Sequence, residues 1–354
     1  MRKARIGVIG AGWWATQHHI PSLKSYEKAD LVGIADPKHD KLVAAAAHYE
    51  IENTYEDHRA LLSSANVDGV VIAVQHAFHY RIAREALDAG VHVLVEKPMT
   101  LSTVEAWDLV ERAKRNNVHL MVGYTYQFTR HSKAARELVH SGRIGEIQFV
   151  SGVFTSWVES YFRGRPQDYA EAFNFPVTGP EPDSYSDPEM SGGGQGYLQV
   201  THPIGMVFWV TGCRATEVFA FMEKFDLPVD LANVFSYRLD NGAVGSMSSD
   251  GGARPGQPLD QSIIYFGSKG LVRQDMINGK LSGHLHDGTS VEFTDLEADD
   301  IYPAHLPSRA LVDLVLEDGE NLAPGHVGAM AVEFLEAGYI SAETGRLVNV
   351  DSLK

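Results

Sequence analysis

A glycine-rich turn near the N-terminus constrains the fold of this chain more than any other feature. The apolar run at residues 5–9 predicts a β-strand, and Gly10-Ala-Gly12-Trp-Trp-Ala15 follows it directly. In this context Gly10 permits a tight turn, Gly12 leaves room for a pyrophosphate, and Ala15 keeps the next helix close to the strand. The N-terminus of that helix offers N–H donors to phosphate. The pattern predicts a dinucleotide-binding fold. The residues expected at the cofactor in this turn are Gly10, Gly12, Trp13, Trp14 and Ala15.

An acid at the end of a second predicted strand indicates which dinucleotide binds. Residues 31–35 form an apolar run that ends in Asp36. This is where an acid that binds the adenosine ribose hydroxyls belongs. A carboxylate at that place repels a 2′-phosphate, so we expect NAD. Lys38 lies close in sequence and softens the preference, which leaves NADP as an alternative.

Strand and helix patterns alternate as far as residue 123. Further helices are predicted at 38–49, 57–63, 76–89 and 102–116, and further strands at 68–74, 91–95 and 118–123. Repeated units of this kind predict an α/β domain with a doubly wound parallel sheet at residues 1–123.

After residue 123 the alternation stops, and strand-like runs follow one another without helices between them. These runs lie at 146–155, 215–222, 230–239, 243–249, 261–267 and 270–274, and a last helix is predicted at 327–342. Consecutive strands favour an antiparallel sheet, so residues 124–354 are predicted to form an α+β domain with an open antiparallel sheet.

The predicted strand at 91–95 ends abruptly in Glu96-Lys97-Pro98. Ligands of open α/β sheets bind at the carboxyl ends of the strands, so Lys97 is expected to face a crevice. Pro98 ends the strand and restricts the backbone of Lys97 to extended conformations. On the tripeptide alone, a surface Glu–Lys pair is an equal alternative.

These residues resemble a known family. The glycine turn, Asp36 and residues 91–98 are similar to those of the glucose-fructose oxidoreductase / inositol dehydrogenase / MocA-like oxidoreductases, and the resemblance extends through residues 341–346. It implies a Rossmann domain followed by an open antiparallel sheet whose outer face forms a homo-oligomer, a dimer or tetramer. It also implies that Lys97 lies beside both nicotinamide and substrate.

The resemblance carries over to two further positions and fails at two. His79 matches a histidine that follows the fourth strand, but Gln75 stands where the family has a proline. His202 matches a histidine that follows a glycine-rich segment, which implies acid–base work beside Lys97, although a structural histidine is the alternative. Leu198 occupies the position of the family's acid. Without that carboxylate, His202 is expected to be neutral near pH 7. The cofactor contacts expected in this part of the chain are Val74, His79, Glu96 and Lys97.

A long loop at residues 157–192 is rich in Pro, Gly, Tyr and Arg. Loops of this length are uncommon unless they are functional, and aromatic faces with guanidinium donors suit a polyhydroxylated or anionic ligand. A surface flap that packs on its own aromatic side chains is an equal alternative. The residues predicted to bind substrate are Tyr126, Trp157, Tyr161, Arg163, Arg165, Tyr185, Tyr197 and Gln199.

Composition excludes several classes of protein. The net charge of -16 disfavours nucleic-acid binding, because such a surface repels phosphate backbones. No apolar run approaches the roughly 18 residues that a membrane span requires. Cys213 is the single cysteine, which excludes an intrachain disulfide and fits a reducing compartment. The N-terminal apolar residues belong to the first strand rather than to a cleaved leader, so we expect a cytoplasmic protein. The His18-His19 and His284/His286 pairs lack zinc-ligand spacing, and no metal is expected.

The function predicted from these features is hydride transfer between a nicotinamide cofactor and a secondary alcohol or ketone of a sugar, cyclitol or glycoside. Lys97 takes the hydroxyl proton, and His202 binds the same oxygen or relays the proton. One alternative is a glycosidase that uses tightly held NAD for transient oxidation and elimination without net redox change. Another is a non-enzymatic NAD-sensing regulator on the same fold, which the fold by itself does not exclude.

Overall fold

The computed structural model describes residues 2–354 and contains two β-sheets. The first has six strands in the order β3-β2-β1-β4-β5-β6, and every pairing is parallel. Its strands are β1 Ala4–Ile9, β2 Ala29–Ala35, β3 Thr54–Tyr55, β4 Gly69–Ile72, β5 His92–Val95 and β6 Leu120–Val122. The predicted doubly wound sheet is confirmed. The short edge strand β3 was not predicted, because two residues carry no periodicity.

Helices cover both faces of this sheet, and its inner strands are therefore apolar on both sides. Val70, Val71 and Ile72 of β4 are fully buried. The first helix begins with a π-helical turn, Ala15–His19, that continues into α1. The helices that follow are α1 Ile20–Lys24, α2 His39–Tyr49, α3 His58–Ser64, a 3-10 turn His76–Phe78, α4 His79–Asp88 and α5 Thr103–Arg115.

The second sheet has nine strands in the order β14-β13-β12-β11-β7-β10-β9-β8-β15. Its strands are β7 Ile147–Thr155, β8 Ala215–Glu223, β9 Ala232–Leu239, β10 Val244–Asp250, β11 Gln261–Gly267, β12 Gly270–Asp275, β13 Lys280–Leu285, β14 Ser290–Glu292 and β15 Val348–Asn349. The sheet is antiparallel except at β7 and β10, which run parallel because a long connection separates them along the chain. Strands β13 to β15 were missed, since they are short and carry exposed polar residues.

Helices pack on one face of the second sheet only. Phe334 lies with its ring centroid 5.0 Å from that of Phe235 and 5.3 Å from that of Tyr237 on β9. The other side chains of β9, such as Val234 and Ser236, are exposed. One open face is typical of an antiparallel sheet. The helical segments of this part are 3-10 Tyr126–Phe128, α6 Arg130–His140, α7 Glu159–Phe162, 3-10 Pro166–Tyr169, α8 Ala170–Phe173, α9 Asp183–Ser186, α10 Pro188–Ser191, π Gly196–Val200, α11 Thr201–Thr211, α12 Ala298–Ile301, α13 Leu306–Val315, α14 Gly325–Thr344 and 3-10 Val350–Leu353.

The C-terminal segment also returns to the first sheet. Tyr26 donates a hydrogen bond to Asp313 on α13 at 2.7 Å, and Ser22 donates one to the carbonyl of His305 at 2.7 Å. Because α13 lies after residue 123 but covers part of the first sheet, the chain does not divide cleanly there. The domain boundary at residue 123 stays a prediction. Among the helices of residues 2–354, none is long and apolar enough to cross a membrane.

Asp230, just before β9, ties the glycine-rich segment to the second sheet and to the last helix. Its side chain is 1% exposed. It accepts hydrogen bonds from the backbone N–H groups of Gly194 (2.7 Å) and Gly196 (2.9 Å), from the amide of Asn233 (2.9 Å) and from the hydroxyl of Tyr339 (2.5 Å). One buried side chain therefore holds the start of the helical segment that carries Leu198 and His202.

Replacing Asp230 by Ala is expected to lower the free energy of unfolding by about 3 kcal/mol, because it leaves several buried donors without an acceptor. Chemical denaturation of the purified variant measures this. Glu223→Ala, which removes an exposed acid at the end of β8, is the matched control and is expected to change stability by less than about 0.5 kcal/mol. Equal stability of the two variants would contradict this role for Asp230.

Candidate active site

The glycine turn lies where the order of strands in the first sheet reverses, between β1 and β4. Gly10 has a φ of 107°, and a Cβ there would lie 2.2 Å from the carbonyl oxygen of Ala73, so only glycine fits. A Cβ on Gly12 would meet nothing within 4 Å. This open space beside the start of the first helix fits a pyrophosphate, and the switch point is where open α/β sheets bind ligands.

Asp36 is held at the carboxyl end of β2 by two backbone donors. Its carboxylate accepts hydrogen bonds from the N–H of Ala11 and from the N–H of Lys38, both at 2.8 Å. The strand order places β2 three strand spacings, about 14 Å, from β5 and Lys97. Asp36 and Lys97 thus lie at opposite ends of one edge, an arrangement that fits an extended dinucleotide.

A cavity of about 740 Å³ runs along this edge between the first sheet and the second domain. It brings most of the predicted site together. The predicted residues that line it are Gly10, Gly12, Trp13, Trp14, Asp36, Val74, His79, Glu96, Lys97, Tyr126, Trp157, Tyr161, Tyr185, Gln199 and His202. Ala15 lies outside the lining and is fully buried, which agrees with a packing role between helix and strand.

Lys97 points from the end of β5 across the cavity to the second domain. Its ammonium Nζ donates a hydrogen bond to the backbone carbonyl of Leu198 at 2.9 Å. Burial lowers the pKa of Lys97 to about 8, against the opposing effect of the negative charge of Glu96. A lysine with such a pKa is neutral in a substantial fraction of molecules near pH 8 and can then accept a proton.

Glu96 is buried beneath Lys97 and connects β5 with the first helix. Its Oε1 lies 2.8 Å from the Nε2 of His19 and accepts a hydrogen bond from the indole of Trp14 at 2.9 Å. Burial alone would raise the pKa of Glu96, but the hydrogen bond with His19 and the charge of Lys97 outweigh it and the pKa is lowered. A Cβ on Gly123 would lie 2.5 Å from the carboxylate of Glu96, so a larger residue there would displace this carboxylate. Glu96 supports the site from below.

His202, on α11, is buried among aromatic rings. Its ring centroid lies 5.8 Å from that of Tyr126 and 6.3 Å from those of Phe154 and Tyr302. Burial lowers the pKa of His202 well below its ordinary value, and the charge of Lys97 lowers it further. The lowered pKa agrees with the neutral imidazole that the sequence predicts near pH 7. Its Nδ1 has no hydrogen-bond partner among the described residues.

Three of the predicted substrate contacts lie elsewhere. Arg163 is bound to Glu159 and Asp226, and Arg165 lies 3.5 Å from Asp168 on the same loop. Tyr197 donates its hydroxyl to a backbone carbonyl at 3.1 Å, away from the cavity. None of the three lines the cavity. The structure corrects their predicted roles, because other partners already occupy these side chains.

The loop at 157–192 both packs on its own aromatic side chains and lines the cavity. Trp157 stacks on Phe173 with 5.0 Å between ring centroids, and Tyr161 lies 5.2 Å from Tyr185. The hydroxyl of Tyr161 is buried without a partner in the described chain. The loop therefore packs on its own aromatic side chains, as one interpretation expected, and its role in ligand binding stays a prediction.

The cavity has further lining residues that sequence reasoning missed. Those after residue 123 include Phe154, Ser156, Phe173, Glu181, Leu259, Gln261, Ile277, Ile301 and Tyr302. Phe154 and Gln261 lie on predicted strands, β7 and β11, whereas the others lie outside the predicted strands and recognisable motifs. Within residues 2–354, no group of three or more His, Cys, Asp or Glu side chains is placed to hold a metal ion.

Comparison with known proteins agrees with this geometry. Residues 4–124 match the NAD-binding Rossmann fold model of the GFO/IDH/MocA oxidoreductase family, and residues 132–273 match the model of the C-terminal domain of the same family.

The chain belongs to the Gfo/Idh/MocA oxidoreductase family.

Several relatives align over most of their length. A myo-inositol 2-dehydrogenase of Thermotoga maritima is 29% identical over 302 residues, which cover 83% of this chain and 79% of that protein. A D-xylose 1-dehydrogenase [NADP(+)] of Haloarcula marismortui is 25% identical, with 98% of this chain and 93% of that protein covered. The crystal structure of GenD2 from gentamicin A biosynthesis in complex with NAD shares the fold, with a TM-score of 0.79, 22% identity and coverage of 99% and 97%.

This Gfo/Idh/MocA protein is an NAD(P)-dependent oxidoreductase that acts on CH–OH groups. The relatives give no specific support to the alternative of a redox-neutral glycosidase. Their names are those of dehydrogenases and oxidoreductases, which also disfavours a non-enzymatic sensor.

Leu198 stands at the position of the expected acid in this Gfo/Idh/MocA member, and its surroundings are apolar. Its side chain is 5% exposed and belongs to an apolar cluster with Val158, Phe162 and Val229. Its backbone carbonyl, rather than a carboxylate, accepts the hydrogen bond from Lys97. A carboxylate in this apolar cluster would be buried at high cost, so the carbonyl is the acceptor that the local packing permits.

The second departure from the family lies at Gln75. Its side-chain amide donates to Asp183 at 3.2 Å and to the hydroxyl of Ser184 at 3.3 Å, both on the long loop. The ring nitrogens of His79 lie 2.7 Å and 3.1 Å from the carbonyls of Pro98 and Val74. His79 thus contacts the backbone carbonyl of Pro98, directly after Lys97. Gln75 donates hydrogen bonds to the long loop, which a proline at this position does not do.

We predict a pH dependence that follows Lys97. The rate kcat/KM for alcohol oxidation is expected to rise with pH and to level off above about 8, because only neutral Lys97 accepts a proton. Glu96 raises the pKa of Lys97, so Glu96→Gln is expected to move the rising limb to lower pH. Steady-state rates across the pH range measure both effects.

The matched control for this experiment is Asp88→Asn, which removes an exposed carboxylate that is paired with Arg112 outside the cavity. This variant is expected to keep the wild-type profile. The assignment to Lys97 would be contradicted if the rise of kcat/KM in Glu96→Gln occurred at the wild-type pH. It would also be contradicted if the rise shifted equally in Asp88→Asn.

Proposed function

We propose that this oxidoreductase transfers a hydride between nicotinamide and a secondary alcohol or ketone of a neutral, polyhydroxylated carbohydrate: a sugar, a cyclitol or a glycoside. The observation that carries the proposal is Lys97, which lies in the cavity at the carboxyl end of β5 with a pKa of about 8. When bound, the nicotinamide supplies the hydride acceptor or donor. The protein supplies the proton transfer, the orientation of the substrate and the exclusion of water.

Lys97 is the proposed proton-transfer residue. In the direction of oxidation, its neutral amine takes the hydroxyl proton of the substrate while the C–H bond of the same carbon breaks. In reduction, its ammonium returns that proton to the carbonyl oxygen. The carbonyl of Leu198 orients Nζ, and neutral His202 is placed to hydrogen-bond the same substrate oxygen. Lys97 and His202 thus handle the proton without the acid of the acid–histidine pair that the family resemblance implies.

The lining of the cavity supports an uncharged substrate. Of the described residues after 123 that line it, none is Lys, Arg or Asp, and the one Glu, Glu181, is paired with Lys38 and Lys41. The arginines that favoured an anionic ligand, Arg163 and Arg165, lie outside. A phosphate or carboxylate on the substrate would therefore be desolvated with no cation on this wall and only Lys97 opposite, which is costly.

Aromatic and amide side chains of the same wall suit a sugar ring. Trp157, Tyr161 and Tyr302 offer apolar faces for C–H groups, and Gln199 and the partnerless hydroxyl of Tyr161 offer hydrogen bonds to hydroxyls. The names of two relatives agree, since myo-inositol and D-xylose are both uncharged polyols.

Replacing Lys97 tests the proton-transfer role. Lys97→Ala is expected to lower kcat roughly a hundred- to ten-thousandfold, the usual loss for an acid–base group. Lys97→Arg is the matched variant: it keeps the positive charge but does not deprotonate, so it should be equally impaired. Fluorescence titration is expected to give an NAD affinity within about threefold of wild type, as expected for an acid–base residue. Near-normal turnover of either variant would overturn the assignment.

A substrate panel tests the class. Neutral sugars, cyclitols and glycosides are compared with sugar phosphates and uronic acids of the same ring, with reduction of NAD as the readout. Turnover is expected with a neutral member, and roughly a hundredfold lower kcat/KM with its charged counterpart. A charged compound that exceeds its neutral counterpart would refute the neutral class. If Lys97→Ala then lost activity on this charged compound, the proton-transfer role of Lys97 would still be supported.

We further propose a homo-oligomer, a dimer or tetramer, that forms through the open face of the second sheet, in a cytoplasmic protein. The support is an apolar outer face. Phe221 and Val234 are paired neighbours on it, 67% and 46% exposed. Phe149 and Phe266 stack on the same sheet at 5.4 Å. Exposed apolar patches of this kind mark interaction surfaces.

Placing a charge on this face tests the oligomer. Phe221→Asp is expected to reduce the molar mass measured by light scattering after size exclusion to that of a smaller species, because an interface does not bury an unpaired charge. Phe225→Asp is the control: Phe225 is 69% exposed but follows β8 and lies outside the sheet. A wild-type monomer, or equal masses for wild type and Phe221→Asp, would reject this interface.

A further inference from the structure

Two lysines and one glutamate meet at the adenosine end of the cavity. Lys38 and Lys41 follow β2, and their ammonium groups lie 2.9 Å and 2.6 Å from the same oxygen, Oε1 of Glu181. Glu181 belongs to the long loop of the second domain. All three side chains line the cavity together with Asp36. The loop therefore contributes a carboxylate to the cofactor end of the site as well as aromatic side chains to the substrate end.

The charges of the four groups Asp36, Glu181, Lys38 and Lys41 balance. Asp36 and Glu181 supply two negative charges, and Lys38 and Lys41 supply two positive charges. Two further lining carboxylates, Glu56 and Asp57, lie 2.9 Å from His39 and 3.8 Å from Arg59. Arg59 also lines the cavity, but its Nε and one terminal nitrogen donate to Glu85 at 2.8 Å and 2.9 Å, and its other terminal nitrogen lies 3.8 Å from Asp57. Without Glu181, the other three of these four groups would carry a net positive charge and both lysines would lose their carboxylate partner, which is the kind of setting that accommodates a 2′-phosphate.

The position of Glu181 is supported independently of its ion pairs. Two residues further along, Asp183 accepts a hydrogen bond from Gln75 of the first domain at 3.2 Å. On the other side, the carbonyl of Phe173 accepts one from Gln17 at 2.8 Å. The loop is thus attached to the first domain on both sides of Glu181, so the carboxylate is held against the lysines.

We propose that Glu181 is a specificity-determining residue for the cofactor: it occupies Lys38 and Lys41 and, with Asp36, excludes the 2′-phosphate of NADP. A ribose 2′-hydroxyl tolerates this carboxylate. A 2′-phosphate is repelled by it and finds both lysines already paired. The preference for NAD is therefore set from both domains. This inference concerns cofactor binding and does not depend on which substrate the protein oxidises.

The test is the affinity of Glu181→Gln for each cofactor, measured by calorimetry on the full chain without substrate. NADP is expected to bind roughly five- to twentyfold more tightly than to wild type, because one repulsive charge is removed and two lysines are released. The affinity for NAD should change by less than about twofold, which also reports that the variant is folded. The increase in NADP affinity should be smaller at high salt, since the adenosine end of the cavity is partly exposed to solvent.

Three further variants make the result specific. Asp36→Ala is the reference that removes the other carboxylate, and it too should narrow the difference between NAD and NADP. Glu171→Gln removes an acid from the same loop outside the cavity and should leave both affinities unchanged. Adding Lys38→Ala and Lys41→Ala to Glu181→Gln should abolish the gain for NADP.

Several results would overturn the proposal. If Glu181→Gln weakens NAD and NADP equally, Glu181 only anchors the loop. An unchanged NADP affinity would show that the carboxylate does not act on the 2′-position. A gain for NADP that persists without the two lysines, or that also appears in Glu171→Gln, would have a different origin.

Discussion

The hydrogen bond from Lys97 to the carbonyl of Leu198 is the contact on which the arrangement of the site depends. It joins the carboxyl end of a strand in the first sheet to a helical segment of the second domain. Each partner is held by its own buried group: Glu96 lies beneath Lys97, and Asp230 anchors the glycine segment that leads to Leu198. A lysine in this position is partly withdrawn from water, and its pKa of about 8 follows from that withdrawal.

One loop, residues 157–192, covers both ends of the cavity. At one end its aromatic side chains pack on each other and on Trp13 beside the glycine turn. At the other end Glu181 meets the lysines that follow β2. Since a single segment contacts the substrate side and the cofactor side, changes in this loop can alter both specificities without altering Lys97 or His202. Variation among loops on a constant scaffold is the usual way in which one fold acquires different substrates.

The two departures from the family pattern, Leu198 and Gln75, each have local contacts that fit the residue present. Leu198 packs in an apolar cluster at the edge of the cavity, where burial of a carboxylate is costly, and its backbone carbonyl accepts the hydrogen bond from Lys97. Gln75 provides a donor to the loop that a proline lacks. His202, without a carboxylate beside it, is neutral and retains a ring that can bind a substrate oxygen.

Sequence by itself determined the parallel sheet, the turn at Gly10 and Gly12, the acid at Asp36 and the place of Lys97, because each rests on a local pattern of strand, turn and helix. Only the tertiary structure decided the rest. Arg163 lies outside the cavity because folding brings Asp226 to it, and Glu181 faces Lys38 because the loop returns to the first domain. These contacts join residues far apart in sequence, and no periodicity or motif records such a contact. The physical reason is that backbone preferences act over a few residues, whereas ion pairs and packing partners are chosen only when the chain has folded.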